Sequence, residues 1–303
     1  MAIQQKLQPR GASSGSVATK VFSLANVTSK GAGAPGRWGL HAQPGFSKTS
    51  MLAYSRNPIF ILAKGETGLL SLIDSGQIPD TPHFPECQTW NDLITALETL
   101  LNVEHGYKTL VLDTLNGFER MLYEYVCERD FDGDWGDKGF GGYQRGFEVS
   151  LADWRIFLNL ADRLRLEKGM TLFFLMHTRV KNFKNPSGAD FDKYAPEMND
   201  KTWALTKGWL TAYLCGALEV TVTAGGKDVS DNPSKRGKAS DTAHRVLYTS
   251  MDNPIFDAKN TCGLPAEIAL GDSAKESWEI LARTITKSRK ITPAPTSEKE
   301  ETK

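Results

Sequence analysis

The sequence predicts an α/β fold in which a mainly parallel central sheet is flanked by helices on both faces. Three observations lead there. Short apolar runs alternate with longer segments whose apolar residues recur at helical spacing, the pattern of strand–helix–strand units. The runs are continuously apolar, as strands buried on both faces must be. With 303 residues, of which 40% are hydrophobic, the chain can also build one large core.

The elements follow in order. Residues 1–18 are polar and rich in Gly and Ser and are expected to be disordered. Trp38 to His41 is the first strand candidate, followed by a Pro-Gly turn and a helix starting near Lys48. Ile59 to Ala63, just after Pro58, is the second strand. Trp90 to Val103 places Leu93, Ile94, Leu97, Leu100 and Leu101 on one helical face,. Thr109 to Leu112 is a strand ending in Asp113, and a helix follows through Phe118, Leu122, Tyr125 and Val126. A Gly-rich loop with Trp135, Phe140 and Tyr143 precedes a long helical pattern over 147–168. Thr171 to Met176 is the most apolar strand and ends in His177-Thr178. The stretches 215–223 and 244–250 read as two further strands, a β-hairpin extension toward the C-terminus,. From Ser288 the chain is charged and Pro-bearing, as a solvated tail is. The expected division is therefore a disordered segment 1–18, one folded domain 19–287 and a disordered charged tail 288–303.

Lys plus Arg and Asp plus Glu number 36 each. That balance argues against a chain that coats nucleic acid by bulk charge, and leaves room for a local basic groove. Cys87, Cys127, Cys215 and Cys262 are scattered and form no CxxC pair, so reduced thiols are expected rather than zinc ligands or disulfides. The N-terminus lacks the apolar core of a signal peptide, and no run approaches the roughly 18 apolar residues of a membrane span. A cytoplasmic protein is expected.

The turn after the first strand carries the chemistry. Ala42, Gln43, Pro44, Gly45, Phe46, Ser47, Lys48, Thr49 and Ser50 follow the GxxxxGK[ST] pattern of a phosphate loop, with Ala42 and Ser47 at the glycine positions. Backbone N–H groups at a helix N-terminus converge on an anion, the lysine adds a full charge, and the hydroxyl ligates Mg²⁺. The two missing glycines make the turn readable also as a polar helix cap. Asp113 at the C-terminal end of a strand suits a carboxylate that holds Mg²⁺ through water, with Thr49 as the other metal residue. Glu66, between Gly65 and Gly68, suits a carboxylate that polarises an attacking water. His177 ends a strand whose C-terminus shares the sheet edge with Asp113 and Glu66, where a polar residue can contact a γ-phosphate. Each of these also has a plainer reading, as a turn, a cap or a satisfied histidine.

Together these residues resemble a known group, the phage-encoded RecA-like AAA P-loop ATPases described as Sak4-like single-strand annealing proteins. The resemblance is carried by QPGFSKTS, AKGETG, KTLVLDTLNGFERML, FFLMHTRVKNFKNP and the late DAKNTCGLP, spanning about 37 to 285. It implies a RecA-like core that binds ATP and Mg²⁺, hydrolyses ATP with stimulation by DNA, and forms homo-oligomers on single-stranded DNA in homologous recombination. A single-strand DNA-binding protein is a candidate partner. Residue by residue, it makes Lys48 and Thr49 phosphate and Mg²⁺ residues, Asp113 the Walker B carboxylate, Glu66 the catalytic carboxylate and His177 the sensor.

For DNA contact the candidate is a loop over residues 179–201, with Lys181 and Lys184 as first choices and Phe183 as a stacking ring. It holds five basic residues (Arg179, Lys181, Lys184, Lys193, Lys201) against four acidic ones, and also reads as an ordinary charged surface loop. Lys235, Arg236 and Lys238 form a second basic candidate, for phosphate contact or for reaching a neighbouring subunit's nucleotide as an arginine finger does, and Arg245 is another,. A nucleotide-gated scaffold with little hydrolysis and a helicase or loader ATPase are the alternative functions.

Overall fold

The computed structural model describes residues 33–219, 222–223, 238–239, 244–250 and 252–290, together with Leu24 and Val27. The chain divides into Met1–Gly33 and Ala34–Lys303, and the fold described below is that of the second unit. The expected disordered segment 1–18, Lys235, Arg236 and the tail beyond 290 lie outside the described residues.

The sheet has the order β11 (Glu267–Ala269), β9 (His244–Tyr248), β6 (Ala212–Glu219), β1 (Arg37–Ala42), β4 (Thr171–Phe183), β3 (Thr109–Asp113), β2 (Pro58–Leu62). Five strands run parallel: β1 (Arg37–Ala42), β2 (Pro58–Leu62), β3 (Thr109–Asp113), β4 (Thr171–Phe183) and β6 (Ala212–Glu219). In them successive side chains point to opposite faces, and both faces are covered. Ile59, Ile61, Leu110, Leu112, Leu172 and Phe174 pack on one side, under α3 (Trp90–Asn102), α4 (Leu115–Phe131), α5 (Arg145–Glu167) and α6 (Asp200–Trp209). Phe60, Leu62, Val111, Phe173 and Leu175 pack on the other, under α1 (Lys48–Ala53), α2 (Gly68–Asp74) and α7 (Ala274–Lys290). Alternation within an unbroken apolar run is the reason these strands show no polar face.

The helices start where their caps dictate. Thr89 and Asp92 form a reciprocal capping box on α3, which satisfies two backbone donors that helix geometry leaves over. The Thr114 side chain caps α4 by accepting from the amide of Gly117. On the first face Trp90 and Trp154 stack at 6.0 Å, and Trp154 Nε1 donates to Thr206 Oγ1 at 2.9 Å, so burying the indole leaves no orphan donor.

The expected hairpin extension is present: β9 (His244–Tyr248) pairs antiparallel with β6, from Cys215↔Tyr248 to Glu219↔His244, and β11 (Glu267–Ala269) pairs with β9. β7 (Val222–Thr223) and β8 (Lys238–Ala239) form a separate two-stranded pair, and β10 (Lys259–Asn260) pairs with β6.

One expectation is corrected. The stretch 179–201 is not an irregular loop. β4 continues through Arg179 to Phe183, and β5 (Phe191–Pro196) returns antiparallel to it, from Thr178↔Pro196 to Phe183↔Phe191. The turn is confined to 184–190, and α6 begins at Asp200. The strand was hidden because β4 beyond Met176 is only partly buried, so its polar residues carry no apolar run. Cross-strand pairs such as Phe183 with Phe191, 5.1 Å apart, supply the stabilisation instead.

Candidate active site

β1 ends at Ala42 and the chain turns through 43–47 into α1. Gly45 and Ser47 adopt left-handed backbone, φ 84° and 74°, which folds the turn back over the start of the helix. The first backbone N–H groups of a helix have no intrahelical partner, and here Ser47, Lys48, Thr49 and Ser50 line one cavity. Phe46 anchors the turn from below: its ring is buried against Gly216, where a Cβ would stand 2.6 Å from the ring. Lys48 is buried, and its Nζ donates to the Ala42 carbonyl at 2.9 Å. Burial lowers the lysine pKa, opposed by the charges of Asp113 and Glu66. Thr49 Oγ1 donates to Asp113 Oδ2 at 2.6 Å. Burial pushes the Asp113 carboxyl up to about 6, against the pull of the Thr49 hydrogen bond.

Glu66 reaches the same place from β2. Gly65, at φ 86°, lets the chain turn after Ala63, and the Glu66 amide closes it on the Ala63 carbonyl at 3.0 Å. Its Oε1 accepts from Thr114 Oγ1 at 2.7 Å and from His177 Nε2 at 3.2 Å. The His177 bond first, then that of Thr114, lower the Glu66 pKa against the cost of burial, so the group is an anion. Both bonds fall on Oε1. Asn116 Oδ1 accepts from the His177 backbone amide at 3.1 Å. Gly117 lets α4 come this close: a Cβ there would lie 2.6 Å from that of Ala63.

Sheet register makes the convergence. Ala42 is paired with His177, and Leu62 with Asp113, along the carboxyl edge of the parallel strands, where ligand crevices form. A cavity of about 280 Å³ there is lined by Pro44, Gly45, Ser47, Lys48, Thr49, Ser50, Glu66, Asp113, Thr114 and His177. Ala42 and Phe46 support the loop from beneath, and Gln43 faces a second cavity on the β6 side. Sequence reading missed Thr114 and Asn116 as members of the site. Their only signal was a position just after a strand-end carboxylate.

The candidate DNA residues stand apart on the β4–β5 hairpin. Lys181 pairs with Asp200 and Lys184 with Asp190, both at 2.5 Å. Phe183 and Val180 are exposed. Lys193 instead turns inward to Asp257 at 3.4 Å, both side chains 12% exposed. Lys201 pairs with Glu148, and Arg179 donates to the Met198 carbonyl. Arg245 holds the Asp272 carbonyl, and of Lys238 only the backbone is described. In the Gly-rich loop Phe140 is buried, whereas Trp135 and Tyr143 are exposed.

The late DAKN run has local work. Asp257 Oδ1 accepts from Tyr213 at 3.0 Å. Lys259 Nζ donates to the carbonyls of Lys207 and Leu210 at the end of α6, at 2.8 and 2.7 Å. Asn260 Oδ1 accepts from the amides of Cys262 and Leu264.

Comparisons with known proteins bear on this geometry. No curated protein matches the chain. Among solved structures it is similar to a crystal structure of the RadB recombinase, at 9% identity and a TM-score of 0.43, over 80% of this chain and 90% of that one. Residues 35–262 match the family described as AAA domain. That match takes in the phosphate loop, Glu66, Asp113 and His177, and the chain belongs to the AAA domain family.

Proposed function

We propose that the protein binds ATP with Mg²⁺ in the cavity at the carboxyl edge of the sheet and hydrolyses it, as a RecA-like protein acting on single-stranded DNA. The carrying observation is the convergence of Lys48, the Thr49–Asp113 pair and the Glu66–Thr114–His177 cluster on one cavity.

The donor set fits the ligands. Thr49 Oγ1 and Asp113 Oδ2 are hard oxygens 2.6 Å apart, the kind Mg²⁺ takes beside a phosphate. When bound, Mg²⁺ neutralises charge on the β and γ oxygens. Lys48 exchanges the Ala42 carbonyl for phosphate oxygens, and the loop amides hold the same anion. Thr114 and His177 occupy Oε1 of Glu66 and fix its orientation. Oε2, with no protein partner among the described residues, then takes the proton of the attacking water. His177 joins Glu66 to the root of the hairpin and so stands between the reaction and the strand-binding surface. There Lys181 and Lys184 exchange their carboxylate partners for DNA phosphates, and Phe183 stacks on a base. Homo-oligomers and recombination or annealing complete this reading, by the resemblance of the sequence.

Turnover by the full chain tests it. Glu66→Gln should lower kcat by roughly 10²–10⁴-fold with nucleotide affinity little changed, and Lys48→Ala should lose nucleotide binding. A wild type that binds no Mg·ATP overturns the reading. Unchanged turnover in Glu66→Gln would instead favour the nucleotide-gated scaffold, and a wild type that binds no single-stranded DNA across a range of salt would remove the DNA part alone.

A further inference from the structure

His41, one residue before the phosphate loop, is wholly buried. Its Nε2 faces the Asp257 carbonyl at 2.7 Å and its Nδ1 faces Thr178 Oγ1 at 2.8 Å. A carbonyl only accepts, so Nε2 carries the proton and Nδ1 accepts from the Thr178 hydroxyl. Thr178 stands at the root of the β4–β5 hairpin, paired with Pro196. Asp257 in turn binds Tyr213 and Lys193, and Lys193 lies on β5 with its Nζ 5.2 Å from the centre of the Phe183 ring. Backbone bonds stitch the same parts together: the Tyr194 amide to the Ile255 carbonyl at 2.7 Å, and the Asp257 amide to the Tyr194 carbonyl at 2.9 Å.

The chemistry proposed for the cavity uses none of Lys193, Asp257 and His41. Yet burying a lysine against an aspartate seldom adds stability over an apolar pair of the same volume. What such a pair can supply is a defined position. Here it defines where the hairpin sits relative to β1.

We propose that Lys193 and Asp257 are positioning residues which, through His41, transmit strand binding at the hairpin to the phosphate loop. The inference rests on the functional reading above. A strand stacked on Phe183 displaces the ring over the Lys193 ammonium, and Lys193 moves with β5. Asp257 follows, because side chain and backbone both hold it to β5. His41 is gripped at its two nitrogens by Asp257 and by Thr178, so a shift of the hairpin turns it. Ala42, the next residue, bears the carbonyl to which Lys48 donates. The path is therefore a continuous set of bonds from a proposed stacking ring to the proposed phosphate lysine, with Asp257 at its middle.

The test uses the full chain with Lys193→Met, Asp257→Asn, the double variant and Lys193→Arg. ATP turnover is measured with and without single-stranded DNA, alongside strand affinity by fluorescence anisotropy and a thermal melt. Stimulation by DNA should fall by about fivefold or more in each single variant, while basal kcat, basal KM and strand affinity stay within about twofold. Lys193→Arg should keep the stimulation, and the double variant should be no worse than either single, since all break one link. Stimulation at the wild-type level in both single variants overturns the inference, as does a parallel fall in basal and stimulated rates. A wild type that binds the strand without stimulation overturns the inference alone. One that binds no strand overturns the DNA reading and takes the inference with it.

Discussion

At Ser47 the backbone sits at φ 74° and ψ 32°, a left-handed region that a residue with a Cβ enters at a cost of about 1–2 kcal/mol. The position is one where the phosphate-loop pattern has glycine, and the geometry says why. Serine there keeps the shape of the loop and bears strain for it. Ser47→Gly should therefore raise stability by a few tenths to about 1 kcal/mol, after the entropy that glycine adds to the unfolded chain. The urea midpoint with and without the substitution checks this, and nucleotide affinity should stay within about twofold, because the backbone donors do not move.

His41 gives a pH signature. Burial lowers its pKa from 6.5 to about 4; the Asp257 carbonyl bond and charge oppose this, and the Lys48 and Lys193 charges add to it. Below 6.5 the unfolded chain takes up a proton that the folded chain refuses until about 4. Its contribution to stability is thus full above 6.5 and is lost as pH falls through 4, about 3 kcal/mol in all. His41→Gln removes the titrating group, so the stability gap between wild type and variant should narrow as pH drops from 7 to 4.5. A constant gap would mean that His41 takes up its proton as readily in the fold as in the unfolded chain.

Among the elements, α6 shows how tertiary partners make a helix that sequence pattern understates. It is short, and only Thr202, Trp203 and Thr206 are buried. Its start is held by the Asn199 side chain, which accepts from the Lys201 amide, while the Asn199 amide donates to buried Glu119. Its end is held by Lys259, 49 residues beyond Leu210 in the chain. A cation on the last carbonyls of a helix satisfies acceptors that the helix leaves over. Lys259→Met should cost about 1–2 kcal/mol and raise amide exchange over 206–210 without loss elsewhere in the sheet. The long helix α5 is the opposite case. Its apolar spacing placed it over 147–168, and it spans Arg145–Glu167, because one face, from Gly146 through Trp154 and Phe157 to Leu164, is buried along its length.

At the scale of the whole molecule, the sequence by itself determined the alternation of strand and helix, four of the five parallel strands, the turn that carries the phosphate-loop pattern, and the carboxylates that meet it. These were legible because burial on both faces writes itself as an apolar run, and because a phosphate loop requires its lysine and hydroxyl side by side. The stretch 215–223, read as one strand of the extension, is instead β6 (Ala212–Glu219), parallel to β1, and the separate β7. Tertiary structure alone decided that β4 lies between β1 and β3, so that His177 falls beside Ala42 in register and within reach of Glu66. It alone made a hairpin of 178–196, whose strands are recognised by cross-strand pairs and not by composition. It also decided the meaning of DAKN, which sequence marked and could not explain. Asp257 meets His41 across 216 residues, and no local pattern encodes a partner that far away, since such a contact exists only once the sheet has closed around it.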